Sequence, residues 1–332
     1  MALPSSFRSQ LFWFALALST ACGGDARVQT EHSAAPSATS SATQSPPSAS
    51  SSASLIESID AGLDAASDAT ALADADVDAG PPPECPDDMV KVGAFCVDRY
   101  EAHLIAVRDG QESPWPHFQR PESGTTYLAR SASGVFPQAY ISRVESAAAC
   151  KNAGKRLCSL AEWSRACQGP RGSTYPYGGR SAKKGKCNSG KGHLMTQFFG
   201  ADSHRWKYES FNDPKLDQEP GFLARSGEYD GCTTGEGTFD MVGNLHEWVA
   251  DAVSEEFGER IANDENRKKQ PWHVGNGMFL GGFFSTTSEH GAGCTFTTIA
   301  HEPTYHDYST GFRCCKSIPK PPKPASSSSK TK

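Results

Sequence analysis

No two of the eleven cysteines in this 332-residue chain are spaced CxxC. That absence argues against zinc ribbons and thioredoxin-like redox sites, and disulfides of an exported protein account for the cysteines better. No apolar run approaches the roughly 20 residues that a membrane-spanning helix requires, which excludes a transmembrane protein of that kind. There is no GxSxG elbow, no HExxH pair, no Walker loop and no kinase motif set, so the common hydrolase, metalloprotease and phosphotransfer templates are missing. A strong charge of either sign is lacking as well: 32 basic residues face 38 acidic ones, a net −6. That balance argues against general nucleic-acid binding. Only 37% of the residues are hydrophobic, which predicts that part of the chain is not packed.

The unpacked parts are legible at both ends. Residues 1–22 begin with a short polar stretch containing Arg8, continue through apolar residues from Leu11 to Leu18, and reach Cys22 after Ser19, Thr20 and Ala21. This is the pattern of a secretory signal. It resembles a bacterial lipoprotein signal, in which the cysteine after the small residues is lipidated and becomes the mature N-terminus. The leucine usual three places before that cysteine is absent, and Leu18 stands one place earlier. With Cys22 lipidated, ten cysteines remain, an even number. Gly23 rather than Asp after Cys22 implies, by the same resemblance, the outer membrane of a Gram-negative bacterium. Ordinary secretion is the alternative.

Residues 23–84 are rich in Ser, Ala, Pro and Asp, with ten acidic residues against Arg27 alone and no aromatic residue. Such a segment cannot bury enough apolar area to offset its ordering entropy, and it is expected to be a disordered tether. Residues 316–332 form a second low-complexity segment, a Lys/Pro/Ser tail with five lysines. The domain expected to fold is therefore 85–315.

Within it, Cys85, Cys96 and the alternating apolar residues broken by Gly93 predict a hairpin or strand, with the two cysteines placed to close it. Ser142 with Glu145, and Ser159 with Glu162, are capping boxes that open two helices. Gly154 is placed to end the first, and Gly169-Pro170 the second. Beyond residue 170 the chain is dense in Gly, Asn, Asp, Ser and aromatic residues. That predicts short strands and long ordered loops that need disulfides or ions to hold them.

Seven ordered stretches carry a resemblance. They are DMVKVGAFCVDRYE from Asp88, SRVESAAACKNAGKRLCSLAEWSRAC from Ser142, YPYGG from Tyr175, CNSG from Cys187, GTFDMVGNLHEWVAD from Gly237, GGFFS from Gly281 and TGFRCC from Thr310. Together they resemble the formylglycine-generating enzyme (sulfatase-modifying factor) domain family across the whole core. The resemblance implies an α+β, C-type-lectin-like fold, disulfide-rich and low in regular secondary structure.

It also implies sites. Calcium takes several oxygen ligands, carboxylates mixed with carbonyls of tight turns. The first family calcium site maps to the side chains of Asp240 and Glu247 and the carbonyls of Gly243 and Leu245. The second maps to Asn188 and the Ser189 carbonyl, with Asp213 as a further candidate. Both ions would be structural, and turns held by side-chain hydrogen bonds are the alternative. A zinc reading of His246 lacks a second histidine at helical spacing. For the cysteines, the resemblance implies Cys150–Cys314 and Cys167–Cys294. Cys85–Cys96 follows from proximity, Cys158–Cys315 from their neighbours, and Cys187–Cys232 completes the set.

The chemistry is where the chain departs from the family. A formylglycine-generating enzyme oxidises a peptide cysteine with copper(I) and oxygen, and soft copper(I) wants a pair of thiolates. The family supplies that pair shortly after the GG motif. Here the interval 283–293 reads FFSTTSEHGAG and contains no cysteine; its polar groups are Ser285, Thr286, Thr287, Ser288, Glu289 and His290. Copper and formylglycine synthesis are therefore not expected. Iron ligation by His290, His301 and His306 is conceivable, although such histidines are more often hydrogen-bonded surface groups. Asp98 and Glu101 either flank a substrate or, with Arg99, form a structural polar network. Trp115, Trp206, Tyr208 and Trp272 either line a peptide or glycan groove or pack the core. The expected function is an envelope lipoprotein whose domain binds a peptide, glycan or envelope protein, or has a structural role, held to the membrane by its lipid. An oxidase of this family with altered metal chemistry is the alternative.

Overall fold

The computed structural model of the chain describes residues 84–318. The signal with Cys22, the acidic tether up to residue 83 and the tail from Pro319 lie outside the described residues. Among the described residues no helix is long and apolar enough to cross a membrane.

Strands β1 (Met89–Val92) and β2 (Phe95–Asp98) form the hairpin expected from the alternating residues. Val92 pairs with Phe95, which leaves Gly93 and Ala94 as the turn. Gly93 takes φ +58°, a left-handed conformation that costs glycine nothing. Strands β3 (Ala102–Arg108), β4 (Gln111–Pro114) and β5 (Thr126–Ser131) make an antiparallel sheet in the order β4-β3-β5. Its tight turn is Asp109-Gly110, both at positive φ, a second hairpin that the motifs above do not anticipate.

Both capping boxes form. Helix α1 (Arg143–Asn152) starts at Ser142, whose side chain accepts from the Glu145 N–H while the Glu145 carboxylate accepts from the Ser142 N–H. Helix α2 (Leu160–Gln168) repeats this with Ser159 and Glu162, and Gly169 ends it at φ +64°. Strand β6 (Arg156–Leu157) lies between the two helices.

From Gly169 to Leu245 there is no named strand, only helices α3 (Leu194–Phe199) and α4 (Tyr208–Phe211), 3-10 turns and ordered loop. Then β7 (His246–Ala252), helix α5 (Glu255–Ala262), β8 (Gly277–Leu280), β9 (Thr297–His301), β10 (Thr310–Phe312) and β11 (Cys314–Ser317) complete the chain. One sheet runs β10-β7-β8-β9, with β10 parallel to β7. The other runs β1-β2-β11-β6, so the last strand is inserted between β2 and β6 from the start of the core. Ser317 pairs with Phe95 and Lys316 with Cys96. The sheet thus extends two residues past the expected boundary at 315.

Five disulfides hold this architecture: Cys85–Cys96, Cys150–Cys314, Cys158–Cys315, Cys167–Cys294 and Cys187–Cys232. They are the pairs set out above. The adjacent Cys314 and Cys315 fasten β11 to α1 on one side and to the residue after β6 on the other. Side chains on neighbouring strand positions point to opposite faces, so two successive cysteines can reach opposite partners.

Candidate functional site

The loop 240–247 ends in a buried polar cluster. Glu247 on β7 is fully buried and accepts Arg313 Nε at 2.6 Å and Nη2 at 2.7 Å. It also accepts the indole N–H of Trp163, from α2, at 2.7 Å. Arg313 sits between β10 and β11 and donates further to the carbonyls of Asp98 (3.0 Å) and Phe239 (2.8 Å). One guanidinium thereby joins the first hairpin, the loop before 240 and β7. Glu101 is also fully buried, and accepts Asn244 Nδ2 at 2.6 Å and the Leu245 N–H at 3.1 Å. Asp240, at φ +58°, accepts the Gly227 N–H at 2.7 Å. Burial raises the pKa of Glu101 well above the carboxylate range, with Asp240 and Glu247 adding repulsion. Burial raises Asp240 as well.

The two calcium sequences expected to be separate lie against each other. The Asn244 N–H donates to the Asn188 carbonyl at 2.9 Å, and Asn188 Nδ2 to Asn244 Oδ1 at 2.7 Å. A Cβ on Gly243 would stand 2.2 Å from the Asn188 oxygen and 3.3 Å from Ser189 Cβ, and φ there is +83°. Only glycine permits that approach.

The donors at the first set suit a divalent cation by charge. Glu101, Asp240 and Glu247 are three buried carboxylates against the single guanidinium of Arg313. Asp240 keeps an oxygen with no hydrogen-bond donor among the described residues. Glu247 Oε2 accepts two N–H groups and Oε1 only one, from Arg313, which leaves a lone pair on Oε1. Asp240 and Glu247 are thus both able to offer an oxygen to a cation. In the second set Asn188 donates its Nδ2 to the Phe222 carbonyl at 2.9 Å, which leaves its buried Oδ1 without a donor among the described residues, and Lys191 Nζ donates to the same carbonyl at 2.7 Å. Asp213 lies apart, with a carboxylate bound to Lys215 at 2.8 Å.

The acid pair expected either to flank a substrate or to be structural is buried. Asp98 accepts Lys155 Nζ at 2.7 Å and the Cys314 N–H at 2.8 Å, and burial pushes its pKa up to about 6. The interval 283–293 is a tight loop: the Phe283 N–H donates to the Thr286 carbonyl, and Ser285 Oγ to Gly192. His246 is buried between Phe279, Phe283 and Phe296, and burial keeps its ring neutral. His301 stacks on Tyr305 at 3.8 Å, and His306 meets the Tyr208 hydroxyl at 2.7 Å. Among the described residues no three His, Cys, Asp or Glu side chains are placed to share a metal ion.

Trp115 packs edge-on against Tyr127, Trp206 stacks on His193, and Trp272 lies against Gly258. They do not line one groove together. A cleft of about 710 Å³ instead opens beyond the end of α2, bordered by Arg171, Tyr177, Lys186, Asp230, Thr233 and Glu236. Sequence reasoning missed this cleft because its walls come from three separate loops. It also missed the roles of Asn244 and Lys191, for which the only signal was their position in or beside matched motifs.

The sulfatase-modifying factor enzyme 1-like domain matches residues 76–318. No curated protein matches the chain. Among solved structures it is similar to PvdO from Pseudomonas aeruginosa, at 15% identity and TM-score 0.40, covering 68% of this chain and 80% of that one. It is similar to CarF at 15% identity and TM-score 0.36, covering 68% and 87%. A third likeness is to the P3c variant of the major tropism determinant, at 16% identity and TM-score 0.37, covering 70% of this chain and 53% of that one.

Proposed function

The chain belongs to the sulfatase-modifying factor enzyme 1-like domain family, and from that premise we propose that it uses the C-type-lectin-like fold as a binding or structural module rather than as a formylglycine-generating oxidase. One observation carries this reading: all ten cysteines among the described residues are joined in disulfides. Copper(I) needs free thiolates, and a disulfide sulfur offers none. The interval after the GG motif has only hydroxyl, carboxylate and imidazole groups in their place.

The module is an envelope lipoprotein in this reading, lipidated at Cys22 and displayed on its acidic tether from the outer membrane. Its ligand is a peptide, a glycan or another envelope protein. A structural calcium ion sits at Asp240, Glu247 and the carbonyls of Gly243 and Leu245 in this reading, where it offsets the surplus of buried carboxylate.

The test is oxygen uptake by the purified protein, loaded with copper(I) and offered cysteine-containing peptides. No uptake above the rate of free copper is expected, together with no alkylation of the folded, unreduced core. Peptide-dependent uptake, or a labelled Cys294, would overturn the reading in favour of an oxidase with altered metal chemistry.

A further inference from the structure

Charge is distributed unevenly along this acidic chain. Between Glu162 and Asp202 there are seven lysines and arginines and no acidic residue. Part of that segment borders the cleft of about 710 Å³ beyond the end of α2, a size within the roughly 300–1,000 Å³ of ligand sites. Arg171 and Lys186 stand on this side, and Asp230, Thr233 and Glu236 come from the loop after Tyr229. Arg165 and Glu236 neutralise each other through two bonds, at 3.0 and 2.6 Å. Arg171, Lys186 and Asp230 take part in no ion pair among the described residues. The cleft therefore carries two uncommitted cations and one uncommitted carboxylate.

The walls hold these groups and leave room for a chain beside them. Cys187 is tied to Cys232, which brings Lys186 against Gly231. A Cβ on Gly231 would stand 2.5 Å from Lys186 Cδ and 2.9 Å from its Nζ, so the lysine stem lies along bare backbone. Gly169, Gly178 and Gly235 leave further backbone open along the walls. Backbone N–H and C=O groups are the partners that an extended peptide uses. A sugar ring, by contrast, docks on an open aromatic face. The one aromatic side chain bordering the cleft among the described residues is Tyr177. It stacks on Tyr175 with ring centroids 5.5 Å apart, and the Lys183 ammonium stands over it at 5.7 Å.

We propose, resting on the reading of the domain as a binding module, that this cleft binds an acidic peptide segment. Arg171 presents a planar fork that suits a carboxylate bidentately. Lys186 supplies a second positive charge. Asp230 and the Thr233 hydroxyl accept N–H groups of the peptide backbone, and Asp230 disfavours ligands that bring anionic groups alone. Two sources offer such a peptide: a partner protein, and this chain's own seven acidic residues from Glu57 to Asp78.

The test follows fluorescein-labelled hexaglutamate by fluorescence anisotropy on the disulfide-intact full chain. Saturable binding that weakens as salt rises is expected. Arg171→Ala combined with Lys186→Ala should weaken it about tenfold or more, as for loss of a charged hydrogen bond. Arg180→Ala combined with Lys184→Ala removes the same charge from exposed positions outside the walls, and should weaken it less than about threefold. Equal losses in the two pairs, or no saturable binding, would overturn the proposal and leave the binding-module reading standing. Peptide-dependent oxygen uptake would instead count against that reading. Displacement of the probe by hexagalacturonate as readily as by unlabelled hexaglutamate would overturn the peptide assignment. Amide replacement of the seven acids from Glu57 to Asp78 separates the two sources. Unchanged affinity assigns the peptide to a partner, tighter binding assigns it to the chain's own segment, and either outcome supports the acidic-peptide site.

Discussion

The stretch from Met89 to Gln168 and the stretch from Gly169 to Leu245 are of similar length and are built by different means. The first contains six strands and two capped helices, most of them set by neighbours in sequence. The second contains two short helices and no named strand. It is held by contacts to distant residues: Cys187 to Cys232, Asn188 to Asn244, Arg165 to Glu236 and Lys191 to Phe222. Order in the first is largely local, and order in the second is tertiary. A loop with few ladder bonds stays fixed only if its polar groups find partners elsewhere.

Arg313 pins the two stretches to each other through the carbonyls of Asp98 and Phe239 and through Glu247, so removing it should have the largest effect. Arg313→Met leaves Glu247 buried without its counter-charge, and such breakage costs about 3–5 kcal/mol. Denaturant unfolding should register that loss. A change below about 1 kcal/mol would mean that the cluster is not what joins the stretches.

The Cys187–Cys232 bond closes a separation of 45 residues within the second stretch. Replacing both cysteines with alanine should cost about 4 kcal/mol by the chain-entropy account. Limited proteolysis should then cut between Gly169 and Leu245 before it cuts the first stretch. Cleavage that begins between Met89 and Gln168 would reverse the comparison.

The smallest effect belongs to a local device. Ser159→Ala removes the acceptor for the Glu162 N–H at the start of α2. A lost helix cap costs about 1 kcal/mol. The melt should fall a few degrees with no change in protease sensitivity of the second stretch. A larger loss would show that α2, which carries Trp163 against Glu247, transmits strain into the buried cluster.

Local chemistry is legible in the amino-acid order alone. Ser142 with Glu145, Ser159 with Glu162 and the glycines at 93, 154 and 169 act within a few residues of themselves, so their roles need no knowledge of the rest of the chain. The Asp109-Gly110 turn is equally local, and its dipeptide is a hairpin signal. The fold family is legible because seven motifs stand in a fixed order over the core.

Partners of side chains are not legible in the same way. Glu247 is a calcium-ligand candidate by its place in a motif, and its main partner in the fold is Arg313, 66 positions later in the chain. Asn188 and Asn244 are 56 residues apart, and which end of each amide faces the other is decided by the Ala224 N–H. Sequence by itself determined the starts of α1 and α2, the turn at Gly93, the family and the scarcity of regular structure just after residue 169, because each rests on short-range geometry or on motif order. Only the tertiary structure decided which buried charges meet and which end of each buried amide faces its partner. Those outcomes depend on where distant backbone donors arrive, and a buried polar group accepts whichever partner the fold delivers.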